Sequence, residues 1–239
     1  NALLRRAIVG DCDPENVVLL EIDPWHQKTR HDFLFTERLW RVRTVDIAEV
    51  RKEGRRLFHN GVPIHRIYNR AIVDELVRKQ VPLNFDFRDD LDVQWAGHPN
   101  WFFRLSKFSL PYLHHPAVPR TEFLDHVSVV HRPERYVLKP LYSFAGSGVI
   151  VGPTKEQLAA VPAERRADYI LQKRVDFRPT IDTPFGPTKM EVRIMYVWLD
   201  ELRPVNTIIR MGRGAQMGVD HNKGFEWVGA SAAFIDPDA

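Results

Sequence analysis

A lysine closes the apolar strand Tyr136-Val137-Leu138-Lys139, and the small-residue loop Ser143-Phe144-Ala145-Gly146-Ser147-Gly148 follows shortly after it. Gly146 and Gly148 have no side chain, so backbone N–H groups there can approach an anion closely. Ser143 and Ser147 add hydroxyl donors, and Lys139 supplies a point charge that suits a phosphate. This is phosphate-cradle chemistry, but it is not a Walker A loop, because Gly-Lys-Ser/Thr is absent and no helix follows directly. The Gly-x-Gly-x-x-Gly dinucleotide fingerprint is missing too. Further on, Glu191-Val192-Arg193 places a carboxylate and a guanidinium on one face of a strand by period-2 alternation. Such a pair can hold a triphosphate, with or without metal. Arg210 and Arg213 flank Gly212, and Asn222-Lys223-Gly224 adds acceptors and cations on strands expected to fold back toward the same cleft.

Each of these residues also has a plainer role open to it. Lys139 reads equally as a surface lysine before an ordinary hairpin, and Glu191 and Arg193 as a salt bridge along a strand. Lys107, in an aromatic stretch, is open between a phosphate contact and a snorkelling surface lysine. Arg66 reads as structural, and Arg70 is open between a structural role and contact with an anionic substrate. His114-His115 looks like a metal pair, yet neighbours on an extended chain point apart. Cys12 lies between Asp11 and Asp13, an acidic setting that makes a poor nucleophile.

The elements that must position these groups follow from the pattern. Val17-Val18-Leu19-Leu20-Glu21-Ile22 reads as a buried strand. Gln27 to Trp40, with Phe33, Leu34, Leu39 and Trp40 among charges, reads as an amphipathic helix, and Arg41 to Val45 as the next strand. That is a βαβ unit, hence a parallel sheet. Asn60-Gly61 marks a hairpin, Ile64 to Arg70 a strand, and Ile72 to Gln80 a helix ending before Pro82. Residues 82 to 120 are dense in aromatic side chains and are expected to join two lobes. In the second half, Val149-Ile150-Val151 pairs back on Tyr136–Lys139. Thr154 caps a helix from Lys155 to Ala160, and Tyr169 to Val175 is a strand. Lys189 to Leu199 turns at Asp200-Glu201 into Pro204 to Met211.

Composition excludes several classes. The chain has 239 residues, 44% hydrophobic and 27% charged, which is ordinary globular usage. The mean hydropathy is −0.32 and no apolar run approaches a membrane span. One cysteine rules out an internal disulfide framework and a Cys-pair zinc site, and a reducing cytoplasm is the expected setting. A net charge of +3, with both signs interleaved along the chain, argues against a dedicated nucleic-acid binder. Asn1-Ala2-Leu3-Leu4-Arg5-Arg6 reads like the inside of a helix, so the chain is expected to be a fragment of a longer one.

Taken in order, these motifs resemble an ATP-grasp domain. Tyr136-Val137-Leu138-Lys139-Pro140 and Gly146-Ser147-Gly148-Val149 are similar to that family's lysine strand and glycine-rich hairpin, and Ile170-Leu171-Gln172-Lys173-Arg174-Val175 to its adenine hinge. The resemblance implies that Gln172 meets the adenine amino group and that the backbone of Lys173 and Val175 reads the base. Lys107 would be the earlier phosphate lysine, Arg193 and Arg210 catalytic cations, and Glu191 and Asn222 ligands for Mg²⁺. Ile67-Tyr68-Asn69-Arg70 in a small βαβ lobe resembles the lobe preceding the ATP-grasp part in glutathionylspermidine-synthase-like, circularly permuted members. The fold implied is α/β then α+β: a small Rossmann-like lobe over residues 1–100, then an incomplete ATP-grasp nucleotide-binding domain with antiparallel sheets over 101–239.

The family's Glu-x-Asn or Glu-x-Gln metal element is absent from the C-terminal half. Two functions therefore stand side by side. One is an ATP-dependent carboxylate–amine or carboxylate–thiol ligase acting through an acylphosphate, if the full-length protein supplies the metal element. Its partners would be ATP and a small-molecule or peptide-like acid and amine. The other is a non-catalytic nucleotide-binding or interaction module that keeps the fold.

Overall fold

A computed structural model of the chain describes residues 1–104, 106–143, 146–218 and 221–233, with Phe103 and Arg104 by backbone alone. Phe144 and Ala145 of the small-residue loop lie outside the described residues. The chain divides into two compact units, Asn1–Trp101 with Tyr196–Val205, and Phe102–Met195 with Asn206 onward.

In the first unit, helix α1 (Ala2–Val9) precedes strand β1 (Val17–Glu21), all five residues of which are buried. Alternation sends Val17 and Leu19 to one apolar cluster with Val9, Phe33 and Val42, and Val18 and Leu20 to another with Val45, Ile67 and Leu76. A strand buried on both faces belongs in a parallel sheet. Helix α2 (Arg30–Trp40) leads to β2 (Arg43–Asp46), which pairs parallel to β1. The helix is shorter than the sequence pattern predicts. Of its residues Phe33 is buried, while Leu34 and Leu39 fall off the line facing the sheet and are exposed.

Strands β3 (Arg51–Glu53), β4 (Arg56–His59) and β5 (Val62–Ile64) form a small antiparallel sheet. Asn60 and Gly61 both take positive φ, 52° and 75°, as a two-residue hairpin turn of the right twist requires. The predicted strand from Ile64 to Arg70 is split at His65, and its second part, β6 (Arg66–Asn69), returns to the parallel sheet beside β1. After α3 (Val73–Lys79), a strand that the sequence reading did not identify, β7 (Gln94–Ala96), extends the sheet to the order β2-β1-β6-β7. Trp95 on β7 packs its ring 5.7 Å from Phe87 and 4.8 Å from His98, so this part of the aromatic stretch serves the first unit.

The second unit is built on antiparallel strands. After a single turn, α4 (Trp101–Arg104), Phe108 and Tyr112 stack against Phe123 at 5.3 and 5.8 Å. Phe123 ends β8 (Thr121–Phe123), which with β9 (Tyr136–Pro140), β10 (Ile150–Val151) and β11 (Tyr169–Lys173) makes a sheet of order β10-β9-β11-β8. Leu138 and Leu171 pack its one face against Leu124 and against Leu158 of α5 (Lys155–Ala159). Thr154 caps α5 as expected, in a reciprocal box with Gln157. A second sheet joins β12 (Pro179–Ile181), β13 (Thr188–Trp198), β14 (Leu202–Gly212) and β15 (Gly229–Ala232) in sequence order. The architecture is the predicted one, an α/β lobe followed by an α+β part with antiparallel sheets. Among the described residues no helix is long and apolar enough to cross a membrane.

Candidate functional site

On β9 and β11 the register pairs Gln172 with Val137 and Ile170 with Lys139. Opposed and alternate residues share a face, so Val137, Lys139 and Gln172 all lie on the face opposite Leu138 and Leu171. They floor a cavity of about 530 Å³ within the second unit. Lys139 Nζ donates to Gln172 Oε1 at 2.6 Å, and Gln172 Nε2 donates to Thr121 Oγ1 at 2.9 Å. Thr121 in turn donates to the Pro119 carbonyl at 2.9 Å. Burial lowers the Lys139 pKa below its ordinary value. Two of its three N–H bonds remain without a partner among the described residues.

The chain leaving β11 forms one wall, with Lys173, Arg174, Val175 and Phe177. There the Lys173 N–H is spent on the Arg120 carbonyl and the Arg174 N–H on that of Arg135, each at 2.8 Å. Lys189, Glu191 and Arg193 of β13 form another, all odd-numbered and therefore on one strand face. Glu191 Oε1 accepts from Arg193 Nε at 2.7 Å and faces Arg210 Nε at 3.3 Å. Arg210 also donates to the Met217 carbonyl. Met217, Gln216 and Gly214 complete the rim, with Val149 and Val151 above the floor. The result is a pocket with valine, phenylalanine and methionine walls and an excess of cations over carboxylates.

No family model and no curated protein matches the sequence. Among solved structures, the chain is similar to D-alanyl-alanine synthetase A from Vibrio cholerae O1 biovar eltor str. N16961. The TM-score is 0.45 at 10% identity, over 95% of this chain and 77% of that one. The geometry of the cavity, and not this likeness, carries the functional reading below.

The structure brings Lys139, Gln172, Lys173, Val175, Glu191 and Arg193 to one cavity. Arg210 reaches it through Glu191. Lys107 stands at the start of the small-residue loop, where Nζ donates to the Ser143 carbonyl at 3.0 Å and to Ser143 Oγ at 2.6 Å. Gly148 takes φ +70°, and a Cβ there would come 2.8 Å from Pro140 Cγ, so only glycine lets the loop lie this close to β9. A Cβ on Gly146 would meet Gln216 Oε1 at 3.8 Å, so Gly146 comes near the cavity rim, while Ser147 is exposed and outside the lining.

Asn222 lies outside the cavity lining. Its Oδ1 accepts from the backbone N–H of Arg213 and of Gly214, each at 2.9 Å, and its Nδ2 donates to the carbonyls of Gln216 and Gly218, each at 2.9 Å. It ties down the 213–218 segment that forms the rim. Gly212 and Gly214 make room for it: a Cβ on either would collide with Asn222 Oδ1 or the His221 carbonyl. As arranged, Glu191 and Asn222 do not fit a magnesium ion. One oxygen of the carboxylate is shared by two guanidiniums, and the amide oxygen is committed to two backbone donors. The described residues contain no group of three His, Cys, Asp or Glu able to hold a metal, His114 and His115 included.

Lys189 was legible in the alternation that marks Glu191 and Arg193, although the sequence reading did not single it out. Thr121 was not legible, because its link to Gln172 depends on which strands become neighbours. Arg66 is structural. Its guanidinium donates to the Ile8 and Ala7 carbonyls at the end of α1, both at 2.8 Å, and to Gln94 Oε1 at 2.7 Å.

Proposed function

We propose that the second unit binds a nucleoside triphosphate, ATP, in the cavity floored by Lys139 and Gln172. One observation carries this reading: residues from separate strands that resemble an ATP-grasp nucleotide site, Lys139, Gln172, Glu191 and Arg193, line a single cavity. Its volume of about 530 Å³ falls within the range of small-molecule pockets. Val137, Val149, Val175, Phe177 and Met217 offer an apolar slot for a base. Lys139, Lys189 and Arg193 offer charge for phosphates. Gln172 has both ends of its carboxamide engaged, so base reading is assigned to the backbone of residues 173–175, where the Val175 N–H has no partner among the described residues.

On this reading the chain belongs to an ATP-dependent carboxylate–amine or carboxylate–thiol ligase of ATP-grasp type. A carboxylate oxygen of the acid attacks the γ-phosphorus, the bond to the bridging oxygen breaks, and ADP leaves. The amine or thiol then adds to the acyl carbon, loses its proton, and expels orthophosphate. Lys139 and Arg193 would screen the phosphate charge and hold the reactants in line. Arg210 would act by positioning Glu191, and Lys107 by positioning Ser143 and the loop through Gly146, Ser147 and Gly148. No step is assigned to a metal held by Glu191 or Asn222. A reducing cytoplasm is the setting proposed, on the single cysteine.

A second reading has its own support. The pairing of Glu191 with both Arg193 and Arg210 favours a nucleotide-binding module without turnover. Release of ADP or orthophosphate, measured across candidate acids and amines with and without Mg²⁺, separates the two. Acid- and amine-dependent release supports the ligase. Nucleotide binding with no release under any pairing supports the module.

A further inference from the structure

The parallel sheet of the first unit has a feature that the nucleotide reading leaves unused. Its order, β2-β1-β6-β7, reverses direction at β1: the chain moves outward to β2 on one side and returns to β6 and β7 on the other. In open α/β sheets the crevice at the carboxyl ends of the strands at such a switch point is where ligands bind. Here those ends carry Glu21 on β1, Asn69 on β6 and Arg70 directly after it. The register places Leu20 opposite Asn69, and the Arg70 N–H donates to the Leu20 carbonyl at 2.8 Å.

The side chains at this point are short of partners. The Arg70 guanidinium is half-buried and lies 5.4 Å from the centre of the buried Phe33 ring. Among the described residues it makes no side-chain hydrogen bond and no ion pair within 4 Å, though its charge acts on the Glu21 carboxyl and favours the ionised form there. The other cations nearby are occupied: Lys79 and Arg78 pair with Glu75 at 2.7 and 3.7 Å. Asn69 Oδ1 is buried without a hydrogen-bond partner, while its Nδ2 donates to the Ala71 carbonyl at 3.2 Å. Glu21 is buried, with one carboxylate oxygen accepting from the Ile22 N–H at 2.8 Å, and burial raises its pKa toward the neutral form. Buried polar groups are normally satisfied, and a guanidinium carries five donors in a fixed fork. A buried amide oxygen without a donor and a half-exposed guanidinium without an acceptor, side by side at a topological switch point, point to a ligand that presents an acceptor to Arg70 and a donor to Asn69.

We propose that the carboxyl end of β1 and β6 is a binding site for a small organic carboxylate, held by the Arg70 guanidinium. The planar fork matches a carboxylate through two parallel hydrogen bonds. A single guanidinium without a hydrogen bond of its own suits one carboxylate and does not suit a polyphosphate, which needs several cations. The proposal does not depend on the nucleotide reading, because every residue in it belongs to the first unit.

Acetate is the probe. The chain is labelled with ¹⁵N, and sodium acetate, sodium phosphate and sodium chloride are titrated through the millimolar range at constant ionic strength. The Arg70 Nε–H and Ala71 amide signals are followed. The expected result is a saturable acetate-dependent shift at both, with acetate affinity at Ala71 reduced at least tenfold in Arg70→Lys, which keeps the charge but loses the fork. Arg70→Gln is the second variant if Arg70→Lys fails to fold. Lys139→Ala, which alters the nucleotide cavity, should leave the acetate shift at Ala71 unchanged. Equal shifts with chloride, affinity unchanged in a folded Arg70 variant, or saturation by phosphate but not by acetate would each overturn the proposal.

Discussion

Lys139 Nζ donates to Gln172 Oε1 across two antiparallel strands at 2.6 Å, and Gln172 passes the constraint on to Thr121 at 2.9 Å. The ammonium is thereby fixed on the cavity floor with two N–H bonds left over. It is held at a desolvation cost, and an anion in the cavity would offset that cost.

That cost has a pH signature. Burial lowers the Lys139 pKa in the folded state below the ordinary 10.5, so between the lowered value and 10.5 the unfolded chain binds the extra proton. Stability therefore rises with pH across that window, the penalty being fully present below it. Lys139→Met removes the group and with it this contribution. The difference in unfolding free energy between wild type and variant, followed by denaturant melts from neutral to alkaline pH, should shift toward wild type as pH rises. A pH-independent difference would contradict a desolvated Lys139.

Glu191→Gln tests whether that carboxylate serves phosphate or metal. It replaces the negative charge that Arg193 and Arg210 share with a neutral amide acceptor, weakens their hold and leaves the cavity more cationic. Binding of an ATP analogue without Mg²⁺ should tighten several-fold by calorimetry. Weaker binding in the variant, together with loss of Mg²⁺ dependence, would show that Glu191 holds a metal after all.

The rim depends on Asn222. Asn222→Ala leaves the buried Gly214 N–H and three partly buried backbone groups of the 213–218 segment without their partner, and a destabilisation of about 2 kcal/mol is expected in denaturant unfolding. Gly214→Ala drives a Cβ into the His221 carbonyl and should loosen the same segment. Both variants should weaken nucleotide binding while the first unit keeps its stability, read by amide exchange at β1. Nucleotide affinity equal to wild type in both would remove the segment from the site.

The second unit was more legible in the sequence than the details of its site. Period-2 alternation showed Glu191 and Arg193 sharing a face, and the Thr154 cap and the Asn60-Gly61 turn declared themselves because their chemistry is local. What depended on register was hidden. The resemblance gives Gln172 a contact with the adenine amino group, while its place beside Thr121 and Lys139 engages both ends of its carboxamide. Asn222 resembles a metal ligand in sequence, and two glycines distant from it let it become a loop tie instead. Strand β7 escaped notice because three residues, Gln94-Trp95-Ala96, carry too short a pattern to separate from the aromatic stretch around them. Arg66 and Arg70, four residues apart, differ only in what the fold places opposite them: the end of α1 for one, the sheet's carboxyl edge for the other.

The role proposed for Lys139 is to hold phosphate on the floor of a nucleotide site. Its most direct test is calorimetric titration of the chain with a non-hydrolysable ATP analogue, with and without Mg²⁺, beside Lys139→Ala with folding checked by circular dichroism. The account predicts saturable binding to the wild type and at least a tenfold loss in the variant, about 1.4 kcal/mol. Saturable binding of equal strength in a folded Lys139→Ala, or no binding to the wild type at millimolar analogue, would contradict it.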